Sequence, residues 1–322
     1  MSSAAICRAV HLARRSHGIL TTKQLLSAGF RDGMAKRQVL AGHWQRPARG
    51  VYVTHSRELT GLELGHAATA LARDRVVLSG LVVVRELGLR WVPSSPGVLA
   101  LVDAEVRTPS SGRITLRRTK QFDALQTWRR DGLELAPAER AVIDAARELS
   151  NLRDVRGVVL GAVADRWATP ADLRVVLDGT ARNGSGLVRR VLTDADRGCA
   201  SPPEAELVDA LIGCGRPFYV NPQLLVDGAL LGSPDVWFPD CGLGGEVDSA
   251  ERHGSDGDVE NTYDRHERMT ARGIDLAHVS VRRIRRDATE AAAWLLGRAA
   301  AAGQTASPPK GLVVVPRGPL LR

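Results

Sequence analysis

The chain has 322 residues, 44% of them hydrophobic and 25% charged, which is ordinary for a globular protein of two or three domains. It contains no run of ~18 apolar residues that could span a membrane, and Arg8, Arg14 and Arg15 interrupt any signal-peptide core. Four scattered cysteines without a C-x-x-C pair argue against a zinc finger and for reduced thiols, so we expect a cytoplasmic protein.

The positive charge is concentrated at the N-terminal end. Residues 1–60 contain ten lysines and arginines against two acids, which accounts for the net charge of +8 of the whole chain. A basic module on a neutral body is typical of proteins that bind a polyanion, most often nucleic acid.

Residues 1–60 are predicted to form a winged helix-turn-helix. Glycine stops and threonine caps indicate three short helices, at 4–16, 23–27 and 33–41, followed by a basic hairpin around Pro47. In this fold the third helix enters the major groove and the wing touches the DNA backbone. The predicted contacts to double-stranded DNA are Lys36, Arg37, Gln38, Arg46 and Arg49, whereas Met34, Val39 and Leu40 are assigned to the core. A solvated surface is the alternative interpretation of the same charges.

The same stretch resembles a known family. The segments Gly18–Thr21, Gln24–Leu26, Ala28–Gly29, Gly42–Trp44 and Arg46–Tyr52 are similar to the N-terminal domain of type IV (AbiEi-family) antitoxins. The resemblance implies a DNA-binding transcriptional regulator. It also implies a cognate toxin as a protein partner.

Residues 61–200 are predicted to form an α/β middle domain. A helix is expected at 61–73, strands at 97–102 and 113–118, and further helices beginning at Pro137 and Pro170. The segment contains no phosphate-binding glycine loop and no Ser/His/Asp set.

The stretch from Ser233 to His253 carries the carboxylates that point to chemistry. Glu246 and Asp248 alternate around Val247, so on a strand they face the same side. A hairpin that turns at residues 239–242 brings Asp235 beside Glu246. Converging carboxylates predict a site for Mg²⁺ or Mn²⁺, held by Asp235 and Glu246.

An ordered set of residues in this region resembles the PD-(D/E)XK nuclease superfamily, in the branch close to very-short-patch repair endonucleases. The set is Ser201, Glu204, Asp235, Glu246, Asp248 and His253. The resemblance implies a restriction-endonuclease-like mixed sheet with flanking helices at 201–305. It also implies metal-assisted phosphodiester hydrolysis, with His253 as base or as hydrogen-bond donor to phosphate and Glu204 orienting the site. The composition of residues 306–322, rich in proline and glycine, predicts a disordered tail. The lysine of the family name is absent, and Asp248 stands in its place.

Three of these residues have simpler explanations. Glu204 follows Ser201 at the spacing of a helix cap. Asp235 is also explained as a turn or strand-start residue after Pro234, and His253 as an inert loop histidine. The whole chain is therefore predicted to be a multidomain α/β protein that acts as a DNA-binding regulator of the antitoxin type. A metal-dependent DNA endonuclease is the first alternative, and an antitoxin that neutralises a toxin by protein contact is the second.

Overall fold

The computed structural model describes residues 3–31, 33–180, 184–248, 266–303 and 309–322. The chain divides into two compact units. The first contains residues 1–150 and 171–184, and the second contains residues 151–170 and 185–322. The winged-helix segment and most of the middle segment expected from the sequence thus lie in the first unit, whereas residues 151–170 and 185–200 of the expected middle domain belong to the second.

The architecture is mixed α/β, as predicted. The helices with described bounds are Ser3–Arg14 (α1), Thr22–Ser27 (α2), Met34–Leu40 (α3), Gly61–Ala72 (α4), Leu81–Glu86 (α5), Ala138–Glu148 (α6), Leu152–Ala164 (α7), Pro170–Asp178 (α8), Gly186–Asp196 (α9), Pro202–Leu211 (α10), Val281–Arg286 (α11) and Ala288–Ala302 (α12).

The strands fall into groups between these helices. They are Ile19–Thr21 (β1), Gln45–Ala48 (β2), Val51–Val53 (β3), Val77–Ser79 (β4), Val98–Asp103 (β5), Ile114–Thr119 (β6), Trp128–Arg130 (β7), Leu133–Leu135 (β8), Tyr219–Val220 (β9), Gln223–Val226 (β10), Ala229–Gly232 (β11), Val236–Phe238 (β12), Leu243–Asp248 (β13), Asp275–Ser280 (β14) and Leu312–Val315 (β15). Within the described parts of the chain, no helix has both the length and the apolar character needed to cross a membrane.

The first 53 residues have the element order expected of a winged helix: α1, β1, α2, α3 and the hairpin β2–β3. The strands form an antiparallel sheet in the order β1-β3-β2. Ala5, Ala9 and Ala13 recur every four residues and bury one face of α1. That face joins a core in which the rings of Phe30 and Trp44 stack with centroids 5.4 Å apart.

The rest of the first unit is built on a five-stranded sheet in the order β6-β5-β4-β8-β7. The inner strands β4, β5 and β8 are short and apolar, as expected for strands covered by helices on their faces. Pro137 stands at the N-cap of α6, where the sequence predicted a helix start.

A buried carboxylate links α6 to this sheet. Asp144 of α6 is fully buried and accepts hydrogen bonds from Ser79 Oγ of β4 at 2.7 Å and Arg117 Nη1 of β6 at 2.7 Å. Arg140 Nε, one turn earlier on α6, donates a third bond at 2.8 Å. Because a buried charge is tolerated only when it is paired and hydrogen-bonded, Asp144 fixes the helix against two strands at once.

The second unit contains a four-stranded mixed sheet and a smaller three-stranded sheet. The larger has the order β14-β13-β12-β9, with β12 and β13 antiparallel and β13 and β14 parallel. The smaller has the order β11-β10-β15. Trp237 of β12 and Leu224 of β10 belong to one buried cluster, so the two sheets share a core.

The C-terminal segment differs from the disordered tail expected at 306–322. Within its described part, β15 pairs antiparallel with β10, and Phe218 exchanges two backbone hydrogen bonds with Leu321. Val313 and Val315 are exposed, but their backbone completes the edge of a sheet. Long-range strand pairing overrides a local composition rich in proline and glycine, which is why the composition alone wrongly predicted disorder.

Replacing Asp144 by Asn should destabilise the first unit by about 3–5 kcal/mol, because the buried Arg140 would lose its counter-charge. Urea unfolding of the full-length protein measures this loss. Asp123→Asn is the matched control, since Asp123 is almost fully exposed and its ion pair with Arg75 is long, at 3.6 Å. Equal stability of the two variants would contradict a structural role for the Asp144 cluster.

Candidate functional site

The outward face of α3 carries the cationic residues predicted to contact DNA. Gly33, Lys36, Arg37 and Leu40 are exposed and follow the spacing i, i+3, i+4, i+7, so they form one stripe along the helix. Leu40 is 75% exposed, which is unusual for a large apolar side chain. The stripe therefore combines two cations with an apolar contact at its C-terminal end.

Two assignments on α3 are corrected by the structure. Gln38 was expected to face outward but is only 8% exposed, and Leu40 was expected in the core. Gln38 lies one turn after the buried Met34, so both residues are on the inner face. The carbonyl oxygen of Gln38 accepts hydrogen bonds from the backbone N–H groups of His43 and Trp44, which orients the chain leaving the helix. Val39 packs against the core as expected.

The wing is a tight hairpin with exposed arginines. Arg49 and Gly50 form a two-residue turn, in which Gly50 has a φ of +76°, a conformation that favours glycine. Arg46 and Arg49 are exposed, and the Arg46 guanidinium lies 6.0 Å from the centre of the Tyr52 ring.

The edge strand of the wing is covered by a loop of the same unit. The Pro47 carbonyl accepts a hydrogen bond from Arg113 N at 2.9 Å, and Arg49 N donates to Ser111 Oγ at 2.9 Å. A Cβ on Gly112 would lie 2.2 Å from the Pro47 oxygen, so glycine is required for this close approach. The wing is thus held by backbone contacts while its arginine side chains face outward.

The hairpin predicted in the second unit is present. Val236 pairs with Gly245 in the antiparallel hairpin, so Asp235 and Glu246 are the next residues to face each other, one position beyond this last pair. Both residues are buried. The Asp235 carboxylate accepts a hydrogen bond from Val247 N at 2.7 Å and so continues the hydrogen-bonding of the hairpin beyond its last backbone pair.

Two histidines lie next to these acids. His278 is the register partner of Glu246 on the parallel strand β14, and its Nδ1 is 3.0 Å from an oxygen of the exposed Asp248. His266 Nε2 is 3.6 Å from Glu246 Oε2, and the rings of His266 and His278 meet edge to face at 5.0 Å. The predicted His253 lies outside the described residues.

His278 was not predicted as a site residue, although its position in the strand indicates the side to which its side chain points. It alternates with the buried Ala277 and Val279 on an otherwise apolar strand, so it had to face the side opposite to them.

Glu204 caps its helix and also joins a polar network. Its carboxyl group accepts hydrogen bonds from Ala200 N at 2.9 Å, Ser201 Oγ at 2.7 Å and Asn221 Nδ2 at 2.8 Å. Asn221 in turn donates its backbone N–H to the carbonyl of Asp235 at 3.1 Å. Asn221, which the sequence did not single out, therefore connects α10 to the carboxylate hairpin.

The helix that carries Glu204 is anchored by a second buried network. Arg156 of α7 is 2.9 Å from Asp194 of α9 and also pairs with Asp209 of α10. Burial opposes the charge on Arg156, but hydrogen bonds to Asp209 and Asp194 outweigh it and raise the pKa of Arg156. Burial raises the pKa of Asp194, whereas hydrogen bonds and charge from Arg156 and Arg190 lower that of Asp209 despite its burial.

The donor set at the hairpin suits a hard divalent cation. Asp235 and Glu246 offer carboxylate oxygens at adjacent positions, which are the ligands that Mg²⁺ and Mn²⁺ prefer. His278 is the register partner of Glu246, and Asp248 lies two residues further along β13; both offer groups that accept or donate a proton.

Comparison with known families identifies the N-terminal segment. Residues 8–55 match the family described as "Transcriptional regulator, AbiEi antitoxin". The N-terminal domain is AbiEi-like. The match spans α1 to β3 and therefore includes both the exposed stripe of α3 and the wing.

The other comparisons give less. No curated protein matches the chain. Among solved structures, the crystal structure of the RV2827C protein from Mycobacterium tuberculosis aligns over 63% of this chain and 79% of that chain, with 15% sequence identity and a TM-score of 0.40. A likeness at this TM-score does not define a shared fold.

Replacing Asn221 should destabilise the second unit, because the buried Glu204 would lose a hydrogen-bond donor. Asn221 has a φ of +47°, so Asn221→Gly removes the amide without adding backbone strain, and a loss of about 1–3 kcal/mol is expected in urea unfolding. Asn221→Asp should lower the stability further, since it places a second carboxyl group beside Glu204.

The control is Asp227→Gly, at an exposed turn position with a φ of +52°. This variant should stay within about 0.5 kcal/mol of the wild type. A comparable loss in Asp227→Gly would show that the left-handed conformation, and not the Asn221 amide, is responsible.

Proposed function

We propose that this protein is a DNA-binding transcriptional regulator of the antitoxin type, in which α3 and the wing contact duplex DNA. The observation that carries the proposal is the coincidence of the AbiEi match at residues 8–55 with an exposed cationic stripe on α3. The concentration of the net charge in the first 60 residues supports it independently.

Each part of this surface suits a different DNA contact. Lys36 and Arg37 stand on the face of α3 that enters the major groove in winged-helix proteins, where they reach phosphates or guanine edges. The exposed Leu40 suits a thymine methyl group at the same groove. Arg46 and Arg49 on the wing suit backbone phosphates, which add affinity without sequence preference.

Replacing Lys36 and Arg37 together by Ala should weaken duplex binding roughly tenfold or more near physiological salt. Each lost phosphate contact should also reduce the slope of log affinity against log salt concentration by about 0.9. Fluorescence anisotropy with labelled duplexes at several salt concentrations measures both quantities.

The matched control replaces Arg129 and Arg130 by Ala, since these are also adjacent exposed arginines but lie outside the AbiEi-like segment. The control should bind DNA like the wild type. If the wild type binds no duplex at low salt, the DNA-binding proposal is wrong, and neutralisation of a toxin by protein contact becomes the interpretation to test.

A second candidate function is metal-dependent cleavage of DNA by the second unit. The observation that favours it is the placement of Asp235 and Glu246 opposite each other across the hairpin, with His266 and His278 beside Glu246. The resemblance to PD-(D/E)XK nucleases stays a prediction here.

The residues divide into three roles under this candidate. Asp235 and Glu246 would hold Mg²⁺ or Mn²⁺, and such an ion lowers the pKa of bound water and neutralises charge at a phosphate. Asp248 and His278 would accept or donate a proton near the reacting water. Glu204 keeps the hairpin in position through Asn221.

Millimolar Mg²⁺ or Mn²⁺ should raise the melting temperature, and Glu246→Gln should abolish the increase because the neutral amide lacks the carboxylate charge. If the unit is catalytic, the protein should nick or cleave supercoiled plasmid, single strands or mismatched duplexes. Asp235→Asn or Glu246→Gln should then lower the rate by at least about a hundredfold.

Asp240→Asn is the control, because Asp240 lies in the turn of the same hairpin and pairs with Arg216 at 2.9 Å. It should leave metal binding and cleavage unchanged. Cleavage that persists in Glu246→Gln would indicate a contaminating nuclease. A melting temperature that neither Mg²⁺ nor Mn²⁺ changes would contradict a metal site at Asp235 and Glu246.

A further inference from the structure

Three potential metal ligands meet in the first unit, away from the DNA-facing stripe of α3 and the carboxylate hairpin. They are His17 in the turn after α1, His66 in α4, and Asp131 in the turn between β7 and β8. His66 Nε2 is 3.3 Å from Asp131 Oδ2, and His17 Nδ1 is 3.9 Å from the same oxygen. The ligand atoms of all three lie within 4.8 Å of one another.

These separations are close to those of a coordination sphere. Nitrogen and oxygen ligands at about 2.0–2.1 Å from a tetrahedral Zn²⁺ are roughly 3.3–3.4 Å apart. The His66–Asp131 distance already has this value, and the His17–Asp131 distance exceeds it by about half an ångström. His17 and Asp131 are about half exposed and have room to close this gap, whereas the half-buried His66 is fixed on a helix.

The conformation of the cluster bears on ligation. Burial and the neighbouring His17 lower the pKa of His66, while Asp131 opposes this effect. The rings of His17 and His66 stack with centroids 3.7 Å apart and an angle of 12° between their planes, so the more exposed His17 ring must turn before both imidazoles can point a nitrogen at the same ion. His17 and Asp131 both have a φ of +49°, a sparsely populated conformation for residues other than glycine.

We propose that His17, His66 and Asp131 form a binding site for a divalent transition-metal ion, with Zn²⁺ as the best fit. Two imidazoles and one carboxylate match the ligand preference of Zn²⁺, and water would complete a four-coordinate site. A cavity of about 450 Å³, lined in part by His17 and His66, gives an ion access to the imidazoles.

The position of the site suggests what the ion does. His17 immediately precedes the loop into β1, which pairs with the wing strand β3. An ion at this point would fasten the AbiEi-like segment to α4 and to the β7–β8 turn. If the proposed DNA binding is correct, metal occupancy also regulates DNA affinity. This regulation rests on the proposed function, whereas the metal binding does not depend on it.

The test is titration of the full-length protein, carrying no histidine tag, with ZnCl₂ in the absence of DNA. Calorimetry should show Zn²⁺ binding that depends on this cluster, and the melting temperature should rise with Zn²⁺ concentration. Asp131→Gly and His66→Ala should each weaken binding by about a hundredfold or more, since loss of even an outer-shell partner costs about 10–100-fold. Asp131→Gly suits the positive φ, so it remains informative if His66→Ala fails to fold.

His11→Ala is the matched control, because His11 is an exposed histidine of α1 that lies outside the cluster. It should bind Zn²⁺ like the wild type. No binding by the wild type, or unchanged affinity in Asp131→Gly, would overturn the proposal. Loss of Zn²⁺ binding in Glu246→Gln would also overturn it, by assigning the ion to the carboxylate hairpin.

Metal-dependent regulation is measured separately, by repeating the DNA titration with and without ZnCl₂. A change in affinity for the wild type that is absent in Asp131→Gly supports regulation. Zn²⁺ binding without DNA binding would refute the proposed function and leave the metal site standing, so the two failures are distinguishable.

Discussion

A carboxylate removed from water must be given hydrogen-bond donors or cations, and both units of this protein are arranged around carboxylates in that situation. In the first unit, Asp144 gathers Ser79, Arg117 and Arg140 and so joins α6 to two strands. In the second, Glu204 and Asp235 are connected through Asn221, which donates to the Glu204 carboxyl group and to the Asp235 carbonyl. The groups that satisfy these acids are also the contacts that fix helix to sheet. The acidic residues that suggest chemistry in the second unit are therefore structural residues as well.

Local signals in the sequence were sufficient for several of the helices and strands. Ser201 and Pro202 predicted the start of α10, and the alternation around Val247 predicted β13 and its hairpin. The rotation of α3 was not predictable in the same way. This helix has seven residues, and Met34, Val39 and Leu40 offer two competing apolar faces. Packing selects the face with Met34, and Gln38 is buried because it lies one turn later on that face. Sequence alone could not decide between the two faces.

Long-range contacts explain what else the sequence missed. β15 is stabilised by pairing with β10, and neither strand has a signal that points to the other. The cluster of His17, His66 and Asp131 is assembled in the same way, from two turns and a helix that are distant in the sequence. The hydrogen bond between Pro47 and Arg113 likewise joins the wing to a loop outside the AbiEi-like segment. The N-terminal segment can be identified by its own residues, but its wing is positioned by residues that lie outside that segment.

The predicted resemblance to PD-(D/E)XK nucleases lacks the lysine of the family name, and the pairing of β13 with β14 shows which residues surround that position. In the superfamily pattern the lysine would stand at Asp248, and here that position is occupied by a carboxylate whose neighbour on β14 is His278. An ammonium group keeps its charge at neutral pH, whereas an imidazole gains or loses a proton there. The pair Asp248–His278 therefore offers a proton acceptor or donor where a nuclease with the lysine has a fixed positive charge. Under the endonuclease candidate, a metal held by Asp235 and Glu246 would supply positive charge at the phosphate. A unit that failed to bind the cation would keep the fold without the reaction.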